Sequence, residues 1–183
     1  MKKCDSGCVH GRFQLFHNDH LRYIMKGFER SESLIIGITS FINSDLITME
    51  AAKHRAVPQN NPFTYYERTE VISNALDDAG VSSDKYSFSP FPIEQPEFLP
   101  QFIPYNILCF TTIYDDWNRE KVKTLRDRGY EVEVLWESKI KKIEGSNLRD
   151  KILRGDDAWK YSVPSATIDA VKSLDIYNRI KKI

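Results

Sequence analysis

Two apolar runs constrain the fold of this chain more than any other feature of its sequence. They are residues 33–40 (SLIIGITS) and residues 105–113 (YNILCFTTI). A strand with one face in water alternates apolar and polar side chains, whereas a continuous apolar run is typical of a strand covered on both faces. Each run therefore predicts a buried strand of a parallel sheet.

Helical patterns separate these strands from weaker strand patterns. Apolar residues recur at helical spacing over residues 20–30, and a capping box of Thr64 and Glu67 opens a helix that stops at Gly80. This alternation predicts an α/β fold: a Rossmann-like, doubly wound parallel sheet of about five strands, with helices on both faces and a C-terminal helical segment. The other predicted strands cover residues 6–11, 86–89 and 130–137, and the other predicted helices cover 47–55 (in part), 118–128, 146–154, 163–174 and 176–183.

Length and charge restrict the class of protein. The 183 residues suit one domain, which we expect to consist of a core over residues 1–155 and C-terminal helices over residues 156–183. No apolar run approaches the roughly 20 residues that span a bilayer, and the N-terminus lacks the apolar core of a signal peptide. Because the formal net charge is zero, we expect neither a nucleic-acid nor a membrane partner. The three cysteines fit free thiols in a reducing compartment, so we predict a cytoplasmic location.

The stretch from Gly11 to His20 (GRFQLFHNDH) carries the strongest chemical signal. In a doubly wound sheet, ligands bind beyond the carboxyl ends of the strands, and this stretch follows the first strand through a tight turn predicted at Gly11. Arg12 adds a positive charge, and His17 and His20 lie three residues apart at a helix start, whose dipole attracts anions. Such donors suit phosphoryl or nucleotidyl transfer. The sequence contains neither the P-loop motif nor the dinucleotide-binding glycine motif.

The same stretch resembles the G-R-F-Q-P-F-H-x-G-H-L signature of the nucleotidyltransferase superfamily, in its archaeal-type nicotinamide-nucleotide adenylyltransferase branch. Further segments resemble that family in the same order along the chain. They are residues 34–40 (LIIGITS), 61–68 (NPFTYYER), 143–155 (IEGSNLRDKILRG) and 159–172 (WKYSVPSATIDAVK). The resemblance covers nearly the whole chain and implies that the protein is an enzyme of this superfamily.

The resemblance also implies roles for the residues at matching positions. His17, His20 and Arg149 are the expected catalytic residues, which stabilise the transition state at the α-phosphorus. Ser146 is expected to cap a helix whose amides receive the β- and γ-phosphates. The other expected nucleotide-binding residues are Gly11, Arg12, Phe13, Gln14, Trp117 and Lys142, and the expected acceptor-binding residues are Thr39, Asn61, Phe63 and Arg68.

Some of these assignments have structural alternatives. Arg68 also fits a solvated helix face, Lys142 a surface run of charge, and Trp117 a partly buried ring beside a helix cap. The sequence departs from the family pattern where Asp19 replaces a glycine between the histidines, and similarly where Leu15 replaces a proline and Glu144 a serine. We expect Asp19 to lie at the helix N-terminus and leave the histidines usable, or to contact Mg²⁺.

These features predict a Mg²⁺-dependent nucleotidyltransferase with a nucleoside triphosphate and a phosphorylated small molecule as substrates. Mg²⁺ is expected on phosphate oxygens and water, without dedicated protein ligands. The resemblance implies that AMP moves from ATP to nicotinamide or nicotinate mononucleotide, and that the protein forms a homo-oligomer. Two alternatives remain open. One is the same chemistry on another acceptor, such as a phosphonate, with ATP or CTP; the other is a catalytically weak nucleotide sensor. The polar segment over residues 41–60 leaves the acceptor undetermined.

Overall fold

The computed structural model of this protein describes residues 3–42 and 58–181. Contacts between residues divide the chain into two compact units, each assembled from three segments. Unit 1 consists of Met1–Arg12, Arg22–Thr39 and Ser82–Lys142, and unit 2 of Phe13–Leu21, Ser40–Val81 and Ile143–Ile183. The helix predicted over residues 47–55 lies outside the described residues.

Unit 1 contains a parallel sheet whose strand order places the first strand in the middle. The order is β3-β2-β1-β4-β5, and every neighbouring pair is parallel. The strands are β1 (Cys4–Gly11), β2 (Ser31–Ile38), β3 (Tyr86–Pro90), β4 (Leu108–Ile113) and β5 (Val132–Glu137). The α-helices of the described residues are α1 (Asn18–Phe28), α2 (Tyr65–Asp78), α3 (Asp116–Asp127), α4 (Gly145–Arg154), α5 (Ser165–Ser173) and α6 (Ile176–Lys181). The predicted Rossmann-like α/β fold with helices around a five-stranded sheet is confirmed.

Side chains that alternate along β1 show that the sheet is covered on both faces. Val9 points toward α1, where a Cβ atom on Gly27 would lie 2.8 Å from Val9 Cγ1. The preceding residue, Cys8, points to the other face and joins an apolar cluster that includes Leu125 of α3. The cluster consists of Cys8, Phe91, Ile93, Leu99, Ile103, Ile107, Cys109, Leu125 and Tyr130. Burial on both faces explains the continuous apolar runs of the central strands.

The two central strands separate toward their carboxyl ends. The β1–β4 pairing runs from Gly7 and Leu108 to Val9 and Phe110. Beyond that last pair, the Tyr23 hydroxyl accepts a hydrogen bond from the His10 N–H (3.2 Å) and donates one to the Phe110 carbonyl (2.5 Å). Strand order reverses between β1 and β4, and this switch point is where doubly wound sheets bind ligands.

Unit 2 is helical in its described residues. The predicted capping box is present: Thr64 accepts from the Glu67 N–H, and the Glu67 carboxylate accepts from the Thr64 N–H. α2 packs against α5, and α6 packs against α4 and α5. Arg179 of α6 forms an ion pair with Glu67 at 2.7 Å, which couples the C-terminal helix to the start of α2.

Several element boundaries differ from the sequence prediction. β4 begins at Leu108 rather than at residue 105, because residues 105–107 form a turn, with Tyr105 and Asn106 exposed, before the chain enters the sheet. α3 begins two residues earlier than predicted, since the Asp115 carboxylate caps it by accepting from the Asn118 N–H at 2.9 Å. A 3₁₀ helix over Asp157–Ser162 was not predicted. Among the described residues, no helix combines the length and hydropathy needed to cross a bilayer.

Candidate active site

The predicted site residues divide between the two units. Unit 2 holds Phe13, Gln14, His17, His20, Asn61, Phe63, Arg68, Ser146 and Arg149, and unit 1 holds Gly11, Arg12, Thr39, Trp117 and Lys142.

His17 and His20 cap the start of α1 by a reciprocal exchange of hydrogen bonds. The His20 N–H lies 3.3 Å from His17 Nδ1, and the His17 N–H lies 3.4 Å from His20 Nδ1. A capping box has the same form, with each side chain accepting from the backbone of the other residue. α1 therefore begins at Asn18 rather than at residue 20 as predicted, because His17 ends the non-helical turn.

These hydrogen bonds assign the tautomer of both histidines. Each Nδ1 acts as an acceptor, so the proton of each neutral ring lies on Nε2. The rings stack with their centroids 3.5 Å apart and an interplanar angle of 15°. Burial lowers the pKa of His17 to about 4, so His17 is a neutral hydrogen-bond donor at pH 7. The predicted pairing of the two histidines on one side of the helix start is confirmed.

Aromatic rings hold the histidine pair from the side of the preceding turn. The Phe13 ring meets His20 edge-on with centroids 5.1 Å apart, and the Phe16 ring stacks on His20 at 5.8 Å. Phe13 adopts a left-handed backbone conformation with φ of 53°, which is strained for a bulky residue. The prediction of a tight turn at Gly11 was wrong: Gly11 ends β1 in extended conformation, and the turn is made at Phe13.

Gln14 connects this turn to the NPFT segment. Its side-chain amide nitrogen donates to the Phe63 carbonyl at 2.6 Å, and its oxygen accepts from the Phe63 N–H at 3.0 Å. The two bonds resemble one rung of a strand ladder. Gln14 thus fixes the position of Phe63, a predicted acceptor-binding residue, relative to the histidine turn.

Arg149 extends the same network from α4. Its Nη2 donates to the Asn60 side chain at 2.8 Å, and its Nη1 lies 3.4 Å from the Gln14 carbonyl. Burial lowers the pKa of the guanidinium, which nevertheless stays protonated at neutral pH. Asn60 was not among the predicted residues, because an asparagine in a long polar segment has no distinguishing sequence signal.

Gly145 allows the start of α4 to approach the Gln14 backbone. A Cβ atom at this position would lie 2.6 Å from the Gln14 carbonyl oxygen and 3.3 Å from Arg149 Nη1. The prediction that Ser146 caps the helix was wrong, because α4 begins at Gly145 and Glu144 occupies the cap position. Ser146 is exposed in the first turn, where backbone N–H groups lack intrahelical partners. Gly145 lies in the segment over residues 143–155 that resembles the family, but its close packing depends on the distant Gln14 and has no local sequence signal.

Arg68 is buried rather than solvated. It is 1% exposed, and its guanidinium donates to the carbonyls of Thr64 (3.2 Å) and Ser40 (2.9 Å). These contacts exclude the alternative of a solvated helix face. Arg68 joins the first turn of α2 to Ser40, whose backbone is left-handed with φ of 46°. Asn61 is half-buried three residues before Thr64.

In unit 1, the predicted residues lie at or after the carboxyl ends of β1, β2, β4 and β5. Thr39 is buried, and its N–H donates to the Gly11 carbonyl at 3.0 Å, which extends the β1–β2 ladder. Arg12 is half-buried after β1, and Trp117 is half-buried in the first turn of α3. Lys142 is exposed, as its alternative assignment to a surface run of charge also predicts.

Asp19 lies in the first turn of α1, as predicted, where the helix dipole favours a negative charge. Within residues 3–42 and 58–181, no group of three or more His, Cys, Asp or Glu side chains is arranged to hold a metal ion. The donors gathered around Gln14 are N–H groups of the backbone, of Arg149 and of the neutral histidine rings, which bind phosphate oxygens rather than cations.

Comparisons with known proteins show similarity over nearly the full chain. The chain is 36% identical over 176 residues to phosphonoformate cytidylyltransferase of Streptomyces viridochromogenes, an alignment covering 96% of this chain and 95% of the relative. It is 31% identical over 177 residues to nicotinamide-nucleotide adenylyltransferase of Picrophilus torridus, covering 94% of each protein. The corresponding protein of Methanolobus tindarius is 30% identical over 176 residues, covering 94% of this chain and 91% of the relative. No protein-family model matches the chain.

Solved structures show the same fold. A bifunctional NMN adenylyltransferase/ADP ribose pyrophosphatase from Francisella tularensis superposes with a TM-score of 0.72 and 20% sequence identity. The superposition covers 97% of this chain and 53% of that protein, so this chain spans about half of its length. At this identity the similarity establishes the architecture alone.

Proposed function

Because the chain belongs to the nucleotidyltransferase superfamily, we propose that it transfers a nucleotidyl group from a nucleoside triphosphate to a phosphorus-bound oxygen of a small acceptor. In this reaction the acceptor oxygen attacks the α-phosphorus in line. The bond from the α-phosphorus to the bridging oxygen of the β-phosphate breaks, and pyrophosphate leaves. No covalent enzyme intermediate is required, so the protein contributes position and hydrogen-bond donors.

The reciprocal cap of His17 and His20 is the observation that carries this mechanism. It directs both Nδ1 atoms to the backbone and leaves the protons on Nε2, at the start of a helix whose dipole favours anions. Two neutral donors suit a site where charge develops on phosphate oxygens, because they stabilise that charge without needing to lose a proton. Arg149, held by Asn60 and the Gln14 carbonyl, adds a fixed positive charge to the same unit.

For the substrates, we propose CTP as the donor and a small phosphonate as the acceptor. The supporting observation is the 36% identity to phosphonoformate cytidylyltransferase across almost the whole of both chains. The reported adenylyltransferases reach 31% and 30% over similar lengths. The product of the proposed reaction is a mixed anhydride of the phosphonate and CMP, together with pyrophosphate.

The second candidate pair is ATP and nicotinamide or nicotinate mononucleotide. It is favoured by the relatives from Picrophilus torridus and Methanolobus tindarius and by the resemblance of the GRFQLFH and NPFTYYER segments to that family. NAD or its deamido form is then the product. The catalytic roles of His17, His20 and Arg149 are the same for both pairs.

We also propose a requirement for Mg²⁺, which when bound neutralises charge on the triphosphate. The described residues do not form a protein cage for it, so the ion would arrive on phosphate oxygens, with Asp19 in the first turn of α1 as a candidate carboxylate. A homo-oligomeric assembly and a cytoplasmic location are further proposals, which rest on family resemblance and on composition.

A pyrophosphate-release assay tests the proposed function. Purified protein with Mg²⁺ is crossed with CTP or ATP and with phosphonoformate, nicotinamide mononucleotide or nicotinate mononucleotide, and His20→Ala is the control. Turnover with CTP and phosphonoformate that the control loses is the expected result. Turnover only with ATP and a mononucleotide moves the assignment to the second pair. Nucleotide binding without turnover of any pair contradicts the enzyme and supports a sensor.

A further inference from the structure

Arg149 of α4 carries a buried positive charge that forms no ion pair within the described residues. The residue is 6% exposed. None of the ion pairs among residues 3–42 and 58–181 includes its guanidinium. The exposed carboxylate of Asp150 acts on the guanidinium electrostatically, without an ion pair. Because a buried charge in a protein usually has a partner of opposite sign, this guanidinium indicates an anionic ligand.

The hydrogen bonds of Arg149 use only part of its donor capacity. A guanidinium has five N–H groups, and two of them meet acceptors in the described part of the chain. Nη2 donates to Asn60 Oδ1 at 2.8 Å, and Nη1 lies 3.4 Å from the Gln14 carbonyl oxygen. Nε has no acceptor there, and it is not among the buried polar atoms that lack one, so it is in contact with solvent. Arg149 therefore keeps accessible donors for an oxyanion.

Asn60 makes the shorter of these two bonds with an uncharged oxygen. Because arginine can only donate hydrogen bonds, the amide oxygen of Asn60 rather than its amide nitrogen faces the guanidinium. An aspartate has nearly the same shape and would make a stronger, charge-assisted bond. It would also cancel the positive charge that attracts a phosphate. An asparagine thus fixes the direction of the guanidinium and leaves its charge intact.

Asn60 and Arg149 belong to elements that pack against the same helix. Asn60 ends the short 3₁₀ helix Pro58–Asn60, which packs against α6, and α6 also packs against α4, the helix of Arg149. The second partner, Gln14, lies in the turn that leads to His17. The two hydrogen bonds therefore orient the guanidinium relative to the turn that carries the proposed catalytic histidines.

We propose that Asn60 is a positioning residue, which orients the Arg149 guanidinium for the phosphates of the nucleoside triphosphate without neutralising its charge. This role rests on the proposed function and concerns the triphosphate rather than the acceptor. All the side chains that it involves belong to unit 2. Loss of the orientation or of the charge should therefore weaken binding of the triphosphate and leave binding of the acceptor unchanged.

The test compares two substitutions of Asn60 with a matched control. Asn60→Asp keeps the shape and adds a negative charge, and Asn60→Ala removes the acceptor. Asn106→Asp is the control, because it makes the same chemical change at an exposed position before β4 in unit 1. Pyrophosphate release gives kcat and the KM of the triphosphate and of the acceptor. Titration calorimetry with Mg²⁺ gives the Kd of CTP and of ATP, and thermal unfolding gives Tm.

We expect Asn60→Asp to raise the Kd and the KM of the triphosphate about tenfold or more, because a hydrogen bond to a charged group is strong enough for a change of this size. Its Tm should equal or exceed that of the wild type, since a neutral bond becomes an ion pair. Asn60→Ala should lower Tm and raise the Kd less than Asn60→Asp does. The KM of the acceptor, and every value for Asn106→Asp, should change less than about twofold. Weaker binding at undiminished stability is not a result of misfolding.

A second background separates positioning from direct repulsion between a carboxylate and the phosphates. Arg149→Met removes the charge and keeps a long side chain. If Asn60 acts through Arg149, adding Asn60→Asp to Arg149→Met should change the Kd less than about twofold. The same increase in both backgrounds would show direct repulsion. An unchanged Kd in Asn60→Asp, or a Tm below that of Asn60→Ala, would show that Asn60 does not hold the guanidinium in this way. Each of these three results overturns the proposal.

Failure of the proposed function is distinguishable from failure of this inference, because the Kd measurements need no turnover. A wild type that binds triphosphate but releases no pyrophosphate with any acceptor contradicts the proposed reaction, while the Kd values of the Asn60 variants still decide on the positioning role. An active wild type whose Asn60→Asp variant binds triphosphate equally well refutes the positioning role alone. A wild type that binds neither CTP nor ATP refutes both.

Discussion

Replacing Tyr23 with phenylalanine removes the hydroxyl group that bridges β1 and β4 at the switch point. That hydroxyl accepts from the His10 N–H at 3.2 Å and donates to the Phe110 carbonyl at 2.5 Å. In the variant the buried His10 N–H loses its partner, which costs about 1–3 kcal/mol, and the carbonyl loses one bond, which costs about 0.5–1.5 kcal/mol. The free energy of unfolding should therefore fall by about 1.5–4.5 kcal/mol.

Two further tyrosines provide a graded control series with the same atomic change. Tyr130→Phe removes one bond, from the buried hydroxyl to the Ile103 carbonyl at 2.7 Å, and should cost about 1 kcal/mol. Tyr66 is 68% exposed, so Tyr66→Phe should change stability by less than about 0.5 kcal/mol. Equilibrium urea unfolding, with the m-value checked for constancy, measures all three.

The order of the three variants is the decisive result. A Tyr23→Phe variant that is no less stable than Tyr130→Phe would refute the reasoning that this hydroxyl satisfies two backbone groups.

Four other perturbations follow from the site. His17→Asn should retain the cap, because asparagine Oδ1 replaces Nδ1, but it should lose the Nε2 donor and lower kcat by about 10²–10³. His17→Ala should lower kcat and also lose about 0.5–2 kcal/mol of stability. A kcat of His17→Asn equal to that of the wild type would contradict this role. The pKa of His17 is about 4 in the folded protein, so below pH 6.5 the unfolded chain binds more protons than the folded one. The free energy of unfolding should therefore fall by up to about 3 kcal/mol as pH drops toward 4. Urea unfolding should show a steeper pH dependence for the wild type than for His17→Asn. Gly145→Ala should cost about 1–3 kcal/mol because its Cβ meets the Gln14 carbonyl, and a fully stable variant would disprove that contact. Asp19→Gly should lower stability without raising the rate, whereas a large rate gain would show that Asp19 impairs the site.

The features that could be predicted from the sequence depend on patterns among residues close together in the chain. The buried strands, the Thr64–Glu67 capping box and the position of Asp19 in a first helical turn each depend on residues a few positions apart. The reciprocal cap of His17 and His20 is also local, although the sequence indicated only their proximity. Boundaries were less accurate, because helix starts depend on which backbone groups find a cap.

Contacts between distant parts of the chain could not be predicted in this way. Gln14 meets Phe63 across 49 positions, Arg149 meets Asn60 across 89, and Tyr23 meets Phe110 across 87. These pairs depend on how whole elements pack, and no local pattern indicates which distant residue each side chain will meet. The left-handed conformation of Phe13 likewise contradicts the local preference of its residue type.

The sequence by itself thus determined the class of fold, the superfamily and the two histidines, because periodicity, capping and motif spacing are properties of short stretches. Only the tertiary structure decided which side chains hold the site together, that Ser146 is not the cap of α4, and that Arg68 is buried. It alone revealed that the buried side chains of His10 and Thr111 have no hydrogen-bond partner among the described residues. The physical reason is that satisfaction of a buried polar group is a property of everything around it, and those surroundings come from strands more than 100 positions apart.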